Sequence, residues 1–212
     1  TGKKRLPGSS REWTEGNLGE EITLESGLRP KGGAIEPERG VPSFGGENIE
    51  LTSGRVIFKS VKTVPREFYD QMRKGILKEW DILINKDGAN TGKVGLYVFS
   101  PFKRACVNEH VFIIRNKRLL NQGFLFYWML SPKGQKQIKS TISGSAQPGI
   151  TTTFAENIVF HVPKQIVEQQ AIAAILSDMD AEITALERKR DKTCALKQGM
   201  MQELLTGRTR LV

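Results

Sequence analysis

The segment GANTGK at Gly88 to Lys93 is the first candidate for a chemical site, because glycines beside a lysine can surround a phosphate group. Its spacing is about one residue shorter than that of a nucleotide-binding P-loop. Val94 also stands where that loop needs a serine or threonine to hold magnesium. We therefore expect a tight turn between two strands, with Asn90 and Lys93 available to a phosphate-bearing partner.

The histidines and cysteines form no catalytic or metal-binding pattern. His110 and His161 each lie in an apolar, β-rich run, which favours a packed or edge position over catalysis. Cys106 and Cys194 are far apart and form no CxxC pair, so we expect reduced thiols in a cytoplasmic protein rather than a zinc site. The sequence has no Gly-x-Gly loop followed by an Asn-Pro-Pro-aromatic motif, as methyl transfer would need. It therefore predicts no catalytic centre, cofactor or metal.

Positive charge is concentrated before residue 164. The formal net charge is +9, and residues 164–212 contribute only +1 of it, from eight basic and seven acidic residues. No run approaches the roughly 18 apolar residues of a membrane span, which leaves nucleic acid as the leading polyanion. Lysine and arginine neutralise phosphates, while asparagine, glutamine and threonine can bond to base edges. The candidate DNA-binding residues, mostly in or beside glycine-rich loops, are Arg29, Lys31, Asn48, Lys86, Asn90, Lys93, Lys103, Arg104, Gln147, Thr151 and Thr152.

The elements that must position these residues form a mixed, mainly β body. Predicted strands are the short β-rich runs between glycine, proline and asparagine, at Arg55–Lys59, Trp80–Asn85, Val94–Phe99, Val107–Arg115 and Ile158–Val162. Short helices are predicted at Pro65–Arg73 and Gly123–Leu130. The rings of the second helix could stack on unpaired bases, but their clustering in a short apolar helix favours a place in the core.

A long helix is predicted from about Gln165 to Leu205, where there is no proline and only one glycine. Acidic residues dominate its first half and basic residues its second, as the helix dipole favours. Gly207 follows as a stop signal. At about 1.5 Å per residue the helix would be roughly 60 Å long, which favours a coiled coil over packing across its own domain. The expected coiled-coil residues are Ile172, Leu176, Met179, Ile183, Leu186, Leu196, Met200 and Leu204.

The two ends of the chain carry a similar hexapeptide. Residues 1–6 read TGKKRL and residues 206–211 read TGRTRL. Because the second copy closes a long helix, we interpret the first as the end of an equivalent helix upstream. The chain is therefore expected to be one period of a two-fold repeat in a longer protein.

This arrangement resembles the specificity subunit of type I restriction–modification enzymes. The stretches that resemble sequences of that family are WTEGNLGEEITLESG at 13–27, DILINKDGANTGKVG at 81–95, NEHVFIIR at 108–115 and GSAQPGITTTFAENIVFHVPKQIVEQQAIAAIL at 144–176. In the last, a Gly-x-x-Gln-Pro-x-Ile loop leads through a strand to Glu168-Gln169, which opens the long helix. Together these stretches span most of the chain, from residue 13 to residue 176, and their order and spacing are specific to the family. One departure is Lys164, where the family often places a second proline after Pro163.

The resemblance implies an α+β fold, in which a mainly β target recognition domain precedes a long helix that forms an antiparallel coiled coil with an equivalent helix. Such a subunit reads one half of a split site in double-stranded DNA, and the paired helices set the gap between the halves. Methyltransferase subunits dock on this frame, and a translocating restriction subunit joins them. The chain would be the C-terminal half of a full subunit or a half-subunit that self-associates. The expected organisation is a tail at 1–16, the recognition domain at 17–163, the spacer helix at 164–206 and a tail at 207–212.

A second hypothesis is a coiled-coil adaptor whose basic domain binds nucleic acid without sequence preference. Both hypotheses predict salt-dependent binding to DNA. Only a sequence-reading subunit predicts a preference on the order of 10³-fold or more for one short duplex at fixed salt. A nuclease or methyltransferase acting alone is disfavoured by the missing motifs.

Overall fold

The computed structural model describes residues 13–33, 40–117, 120–144 and 148–208. The chain divides into two compact units between Ala173 and Ala174. The first unit contains the sheets and short helices, and the second consists mainly of the long helix. This confirms the predicted α+β class. Of the expected features, Gln147 and the hexapeptide at 1–6 lie outside the described residues, as do the last residues of the second hexapeptide.

The strands are β1 Trp13–Asn17, β2 Ile22–Ser26, β3 Val41–Phe44, β4 Thr63–Val64, β5 Asp81–Asn85, β6 Val94–Tyr97, β7 Cys106–Val107, β8 Val111–Asn116 and β9 Val159–Pro163. The α-helices are α1 Leu18–Glu21, α2 Arg66–Gln71, α3 Gln122–Leu130, α4 Pro132–Ser140 and α5 Ile166–Leu205. Single 3-10 turns occur at Gly46–Asn48, Gly88–Asn90 and Phe154–Asn157.

An antiparallel sheet in the order β2-β8-β5-β6 forms the centre of the first unit. Side chains alternate between its two faces, so neighbouring apolar residues enter different cores. Ile82 and Ile114 pack with α3 and α4 in the larger core, whereas Leu83 and Ile113 pack on the opposite face around Phe44. Both faces of β5 and β8 are therefore covered, which explains their nearly continuous apolar sequence.

Strand boundaries differ from the predictions where local hydrogen bonds interrupt an apolar run. β8 begins at Val111 rather than at Val107, because residues 108–110 make a turn in which Asn108 Oδ1 accepts a hydrogen bond from the His110 amide at 3.0 Å. Val107 instead pairs with Phe44 of β3. The predicted strand at 55–59 is wrong, since only isolated bridges form there, at Arg55 and Val56. The rings of α3 lie in or against the larger core, which confirms their predicted role.

The start of α5 is fixed to the body by two buried polar side chains. β1 pairs with β9, so Trp13 to Gly16 lie in a strand of the body although we expected them in a tail. Trp13 Nε1 donates to Glu168 Oε1 at 3.2 Å. Gln169 is also buried; its Oε1 accepts from the Asn121 amide at 2.8 Å and its Nε2 donates to the Pro163 carbonyl at 2.8 Å. These bonds explain the polar Glu168-Gln169 pair at the beginning of the helix.

Arg115 of β8 joins three parts of the sheet. Its Nε and Nη2 donate to the two carboxylate oxygens of Asp81 at 2.6 and 2.7 Å, and its Nη1 donates to Glu25 Oε1 at 2.5 Å. Its Nη2 also donates to the Ile76 carbonyl at 2.8 Å. Asp81 is only 2% exposed. Burial raises the pKa of this carboxyl, and its hydrogen bonds with Arg115 oppose that rise.

We expect Arg115→Met to destabilise the fold by about 3–5 kcal/mol at pH 8, because it leaves the Asp81 carboxylate buried without its cation. A carboxyl whose pKa is higher in the folded than in the unfolded state opposes folding when it is ionised. Its protonation as the pH falls removes this unfavourable contribution to the free energy of folding. The loss should therefore be smaller at pH 5. Urea unfolding at both pH values measures it.

The matched control is Arg115→Met combined with Asp81→Asn, which keeps an acceptor for the Lys78 amide and removes the charge. The double variant should recover part of the loss at pH 8 and show little change with pH. Equal losses for both variants would contradict the role assigned to the Asp81 charge.

Candidate nucleic-acid interface

One end of the four-stranded sheet gathers the loops that carry most candidate DNA-binding residues. The registers Ser26↔Phe112, Asn85↔Val111 and Ile84↔Val94 place the last residues of β2 and β5 beside the first residues of β8 and β6. The segments 27–33, 86–93 and 108–110 are therefore neighbours. Antiparallel pairing alone brings these loops together from distant parts of the sequence.

The 86–93 segment is a tight β-hairpin connection, as predicted from its glycines. Gly88 and Gly92 have positive φ values of 77° and 86°, which residues with a Cβ rarely adopt. The Asn85 amide donates to the Lys93 carbonyl at 2.9 Å and closes the hairpin. The turn thus positions its side chains by backbone geometry.

The segment after the undescribed residues 145–147 packs on this hairpin. The Gly88 amide donates to the Pro148 carbonyl at 3.0 Å, and the Ile150 amide donates to the Lys86 carbonyl at 2.7 Å. Thr91 Oγ1 also donates to the Pro148 carbonyl at 3.1 Å. Thr151 and Thr152 follow and are exposed. The structure therefore joins the two segments that carry Lys86 and the threonines into one surface.

Close backbone contacts at Gly27 and Gly46 hold the neighbouring loops. A Cβ on Gly27 would overlap the carbonyl oxygens of Val107 and Asn108, and a Cβ on Gly46 would overlap the Asn85 side chain. The Gly27 amide donates to the Val111 carbonyl at 3.2 Å. These contacts place the loop containing Arg29 and Lys31 against the 108–110 turn.

Three cationic side chains on this surface lie beside carboxylates. Arg29 Nη1 lies 3.4 Å from Glu109 Oε1, and Lys62 Nζ lies 3.1 Å from Glu47 Oε1. Lys86 Nζ lies 3.8 Å from Asp87 Oδ2 and 5.5 Å from the centre of the Phe112 ring. A cleft of about 200 Å³ lies between these loops, and its lining includes Arg29, Lys62, Asn108, Glu109 and His110.

His110 belongs to this surface, although its apolar neighbours in sequence indicated a packed or edge position. Its side chain is about half exposed, and Nδ1 lies 2.6 Å from Asp87 Oδ1. Nε2 lies 3.4 Å from Glu109 Oε1. The signal that sequence reasoning missed is the Asn108-Glu109 pair before it, which forms a polar turn rather than the start of the strand.

Asn90, Lys31, Thr151 and Thr152 lie in or beside the same loops, and Lys31 and the two threonines are exposed. Lys93 is only partly available, because its Nζ donates to the Ile49 carbonyl at 3.3 Å. Asn48 is 4% exposed, and its Oδ1 accepts from the Gly45 amide at 3.0 Å. Asn48 therefore stabilises its own turn and is too buried to take part in the candidate surface.

Lys103 and Arg104 do not join this group. They lie in the segment after Tyr97, and Tyr97 pairs with Asp81 at the opposite end of the β5–β6 hairpin from the 86–93 turn. Arg104 bonds to Asp70 of α2 and lies 4.6 Å from the centre of the Tyr69 ring. The structure therefore places these two candidate residues apart from the loops at 27–33, 86–93 and 108–110.

In the second unit, the apolar seam of α5 is largely exposed. Met179 and Leu186 are 54% and 59% exposed, and Ile183, Leu196 and Met200 also face solvent. Leu176 and Leu204 are half-buried. Ala195, Leu196, Gly199, Met200 and Leu204 line a groove of about 480 Å³, together with two polar residues. Gly207, with a φ of 73°, ends the helix as predicted, because the Arg208 amide donates to the Glu203 carbonyl at 3.1 Å.

Ile172, which we expected in the coiled-coil seam, instead packs against the larger core of the first unit. Its helical spacing matches the seam, but the α5 residues before Ala174 belong to the body. Helical spacing alone does not distinguish an α5 residue that packs against the body from one that faces a partner helix.

The side chains at this end of the sheet offer cations and hydrogen-bonding groups. In the part of the chain that the structure describes, no group of three histidine, cysteine, aspartate or glutamate side chains could hold a metal ion. Burial raises the pKa of the Cys106 thiol to about 11, so this thiol is not a reactive nucleophile. No helix among the described residues is long and apolar enough to cross a membrane.

Comparisons with known proteins agree on one family. A sequence profile described as "Type I restriction modification DNA specificity domain" matches residues 10–193. A type I restriction enzyme MjaVIII specificity subunit from Methanocaldococcus jannaschii is 26% identical over 204 residues, covering 94% of this chain and 47% of that protein. A putative MjaX specificity subunit from the same organism is 28% identical over 169 residues, covering 78% of this chain and 37% of its own length. The chain thus spans about half or less of these relatives.

Solved structures show the same fold. The type I restriction–modification S subunit from M. genitalium matches 96% of this chain and 48% of its own, with a TM-score of 0.63 at 21% identity. The HsdS subunit from Thermoanaerobacter tengcongensis matches 95% of this chain and 46% of its own, with a TM-score of 0.58 at 19% identity. The profile match covers most of the sequence, and the chain belongs to the family of type I restriction–modification DNA specificity domains.

Proposed function

We propose that this chain is a sequence-specific DNA-recognition unit that reads one half of a bipartite site and docks methyltransferase subunits. One observation carries the proposal: in a chain of this family, one end of the sheet brings together Arg29, Lys86, His110 and the loop that contains Thr151 and Thr152. These groups supply cations for phosphates and hydrogen-bonding side chains for base edges. A half-length chain supplies one such surface, so reading both halves of a site needs a second recognition unit.

We also propose that α5 pairs with another helix through its exposed apolar seam. Apolar side chains at Met179, Ile183 and Leu186 lie on one side of the helix and are each about half exposed. Such a stripe is stabilised when a partner helix removes it from water. The proposed partner is an equivalent helix, from a second copy or from another part of a longer chain.

Selection from a random pool of DNA duplexes tests the function directly. The chain is mixed with its cognate methyltransferase subunits, and bound duplexes are sequenced. We expect one short motif to be enriched, with an affinity at least about 10³-fold above that for a scrambled duplex at the same salt. A split motif would further support two recognition units in the complex. Binding that depends strongly on salt but enriches no motif would favour the adaptor hypothesis.

Lysine substitution tests which end of the sheet meets DNA. Lys86→Ala with Lys93→Ala should weaken binding to all duplexes and reduce the slope of log affinity against log salt, by about one for each phosphate that the protein no longer neutralises. Lys86 should contribute more, because the Lys93 ammonium already bonds to the Ile49 carbonyl. Titrations at several salt concentrations measure the slope.

The control is Lys103→Ala, at the other end of the β5–β6 hairpin, which should leave the slope unchanged. If Lys103→Ala lowers the slope and the Lys86 and Lys93 variant does not, the binding surface has been assigned to the wrong end of the sheet.

Aspartate at Met179 and Leu186 tests the seam. The pair of substitutions places two charges where apolar side chains would meet a partner helix, so dimer or partner binding should be lost while the body remains folded. Size-exclusion chromatography with light scattering measures the assembly, and circular dichroism checks the fold. The control is Ser177→Asp with Ala181→Asp, which lie roughly opposite the seam on an α-helix and are exposed. Assembly that survives at Met179 and Leu186 would exclude the coiled coil.

A further inference from the structure

Glu109 is the carboxylate of the sheet end that is held most loosely. Its Oε1 lies 3.4 Å from Arg29 Nη1 and 3.4 Å from His110 Nε2, both long for charge-assisted hydrogen bonds. The side chain is 29% exposed within the cleft. Asp87 differs, because its Oδ1 lies 2.6 Å from His110 Nδ1 and so orients the imidazole. Glu109 can therefore exchange its partners at little cost, whereas Asp87 holds a neighbouring side chain in place.

The fold does not depend on the Glu109 carboxylate. The turn that carries it is closed by the Asn108 amide, which donates to the Phe44 carbonyl at 2.9 Å, and by Asn108 Oδ1, which accepts from the His110 amide at 3.0 Å. The partners of the carboxylate are the exposed Arg29 guanidinium and the half-exposed His110 imidazole. Exposed pairs of this kind add little to stability.

A carboxylate on a phosphate-binding surface weakens binding to DNA of every sequence. It repels phosphates and keeps Arg29 occupied, whatever bases are present. This loss is offset only where the DNA supplies a hydrogen-bond donor. In the major groove, the exocyclic amino groups are such donors, and cytosine N4 is the usual partner of a glutamate.

We propose that Glu109 is a specificity-determining residue that accepts a hydrogen bond from an exocyclic amino group of the target, with cytosine N4 as the expected donor. The inference rests on the proposed function and deepens it. When a base amino group engages Glu109, Arg29 is released to bind a phosphate. When no amino group is present, the carboxylate lies unpaired against DNA or retains Arg29. Glu109 thus discriminates mainly by rejecting duplexes that lack the donor.

Two substitutions at Glu109 separate its charge from its acceptor. Glu109→Gln keeps an acceptor oxygen and removes the charge, and Glu109→Ala removes both. Each variant is assembled with the cognate methyltransferase subunits, used to select duplexes from a random pool, and titrated against the wild-type motif and a scrambled duplex. The control is Glu20→Gln, an equal charge change on exposed α1 at the opposite end of β2.

Both variants should bind the scrambled duplex about threefold or more tightly than the wild type, because a repulsive charge is gone. Glu109→Ala should lower the preference at one cytosine position by about fivefold or more. Glu109→Gln should shift that position toward adenine, whose N6 and N7 a glutamine side chain can bond. Glu20→Gln should leave the motif unchanged.

A wild-type motif that both Glu109 variants retain unchanged would overturn this inference and leave the proposed function standing. Equal gains in affinity for the selected and scrambled duplexes would also overturn it, since the charge would then act on all DNA alike. A wild-type complex that selects no motif would overturn the proposed function, and the inference with it.

Discussion

The pairing of β8 with both β2 and β5 is the constraint on which the rest of the first unit depends. Because side chains alternate along each strand, a slip of one residue would exchange the two faces of the sheet and separate Arg115 from Asp81 and Glu25. The guanidinium bonds to carboxylates from both neighbouring strands, and so favours this register over its alternatives. The same register places the loops after β2 and β5 beside the turn that precedes β8. An ion cluster near one end of the sheet therefore helps to define the surface at the other.

The two ends of the sheet use the same residue types in opposite ways, and burial is what distinguishes them. Asp81 is almost completely buried and bonds to Arg115 through both carboxylate oxygens, so separating them would leave a buried charge without its cation. Arg29 and Glu109 are more exposed and meet at 3.4 Å, so water can replace either partner and a phosphate can replace Glu109 beside Arg29. The first arrangement stabilises a structure. The second leaves charged groups able to exchange partners.

Sequence patterns predicted the elements that depend on local signals. The long helix, α3 and the β5–β6 hairpin follow from apolar periodicity and from glycines that permit positive φ. β1 and β3 were missed because they are short and depend on pairing with residues far away in the sequence. The same distinction applies to the candidate site. The Lys86 to Lys93 turn was predicted from local glycines, whereas the ion pairs of Arg29 and His110 depend on contacts across the sheet that the sequence does not show. Asn48 and Ile172 have residue types that suit the predicted DNA contact and the predicted seam. In the structure Asn48 is buried in its own turn, and Ile172 packs against the larger core.

The charge pattern of α5 bears on how the proposed helix pair is arranged. Residues 174–187 contain four acidic residues and no basic one, whereas residues 188–208 contain six basic and two acidic residues. Parallel pairing of two such helices would align like charges along their whole length. Antiparallel pairing would place the acidic half of each helix beside the basic half of the other, which favours that orientation. In such a pair the apolar seam would supply affinity without a preferred direction, and the charges along the two helices would select the antiparallel one.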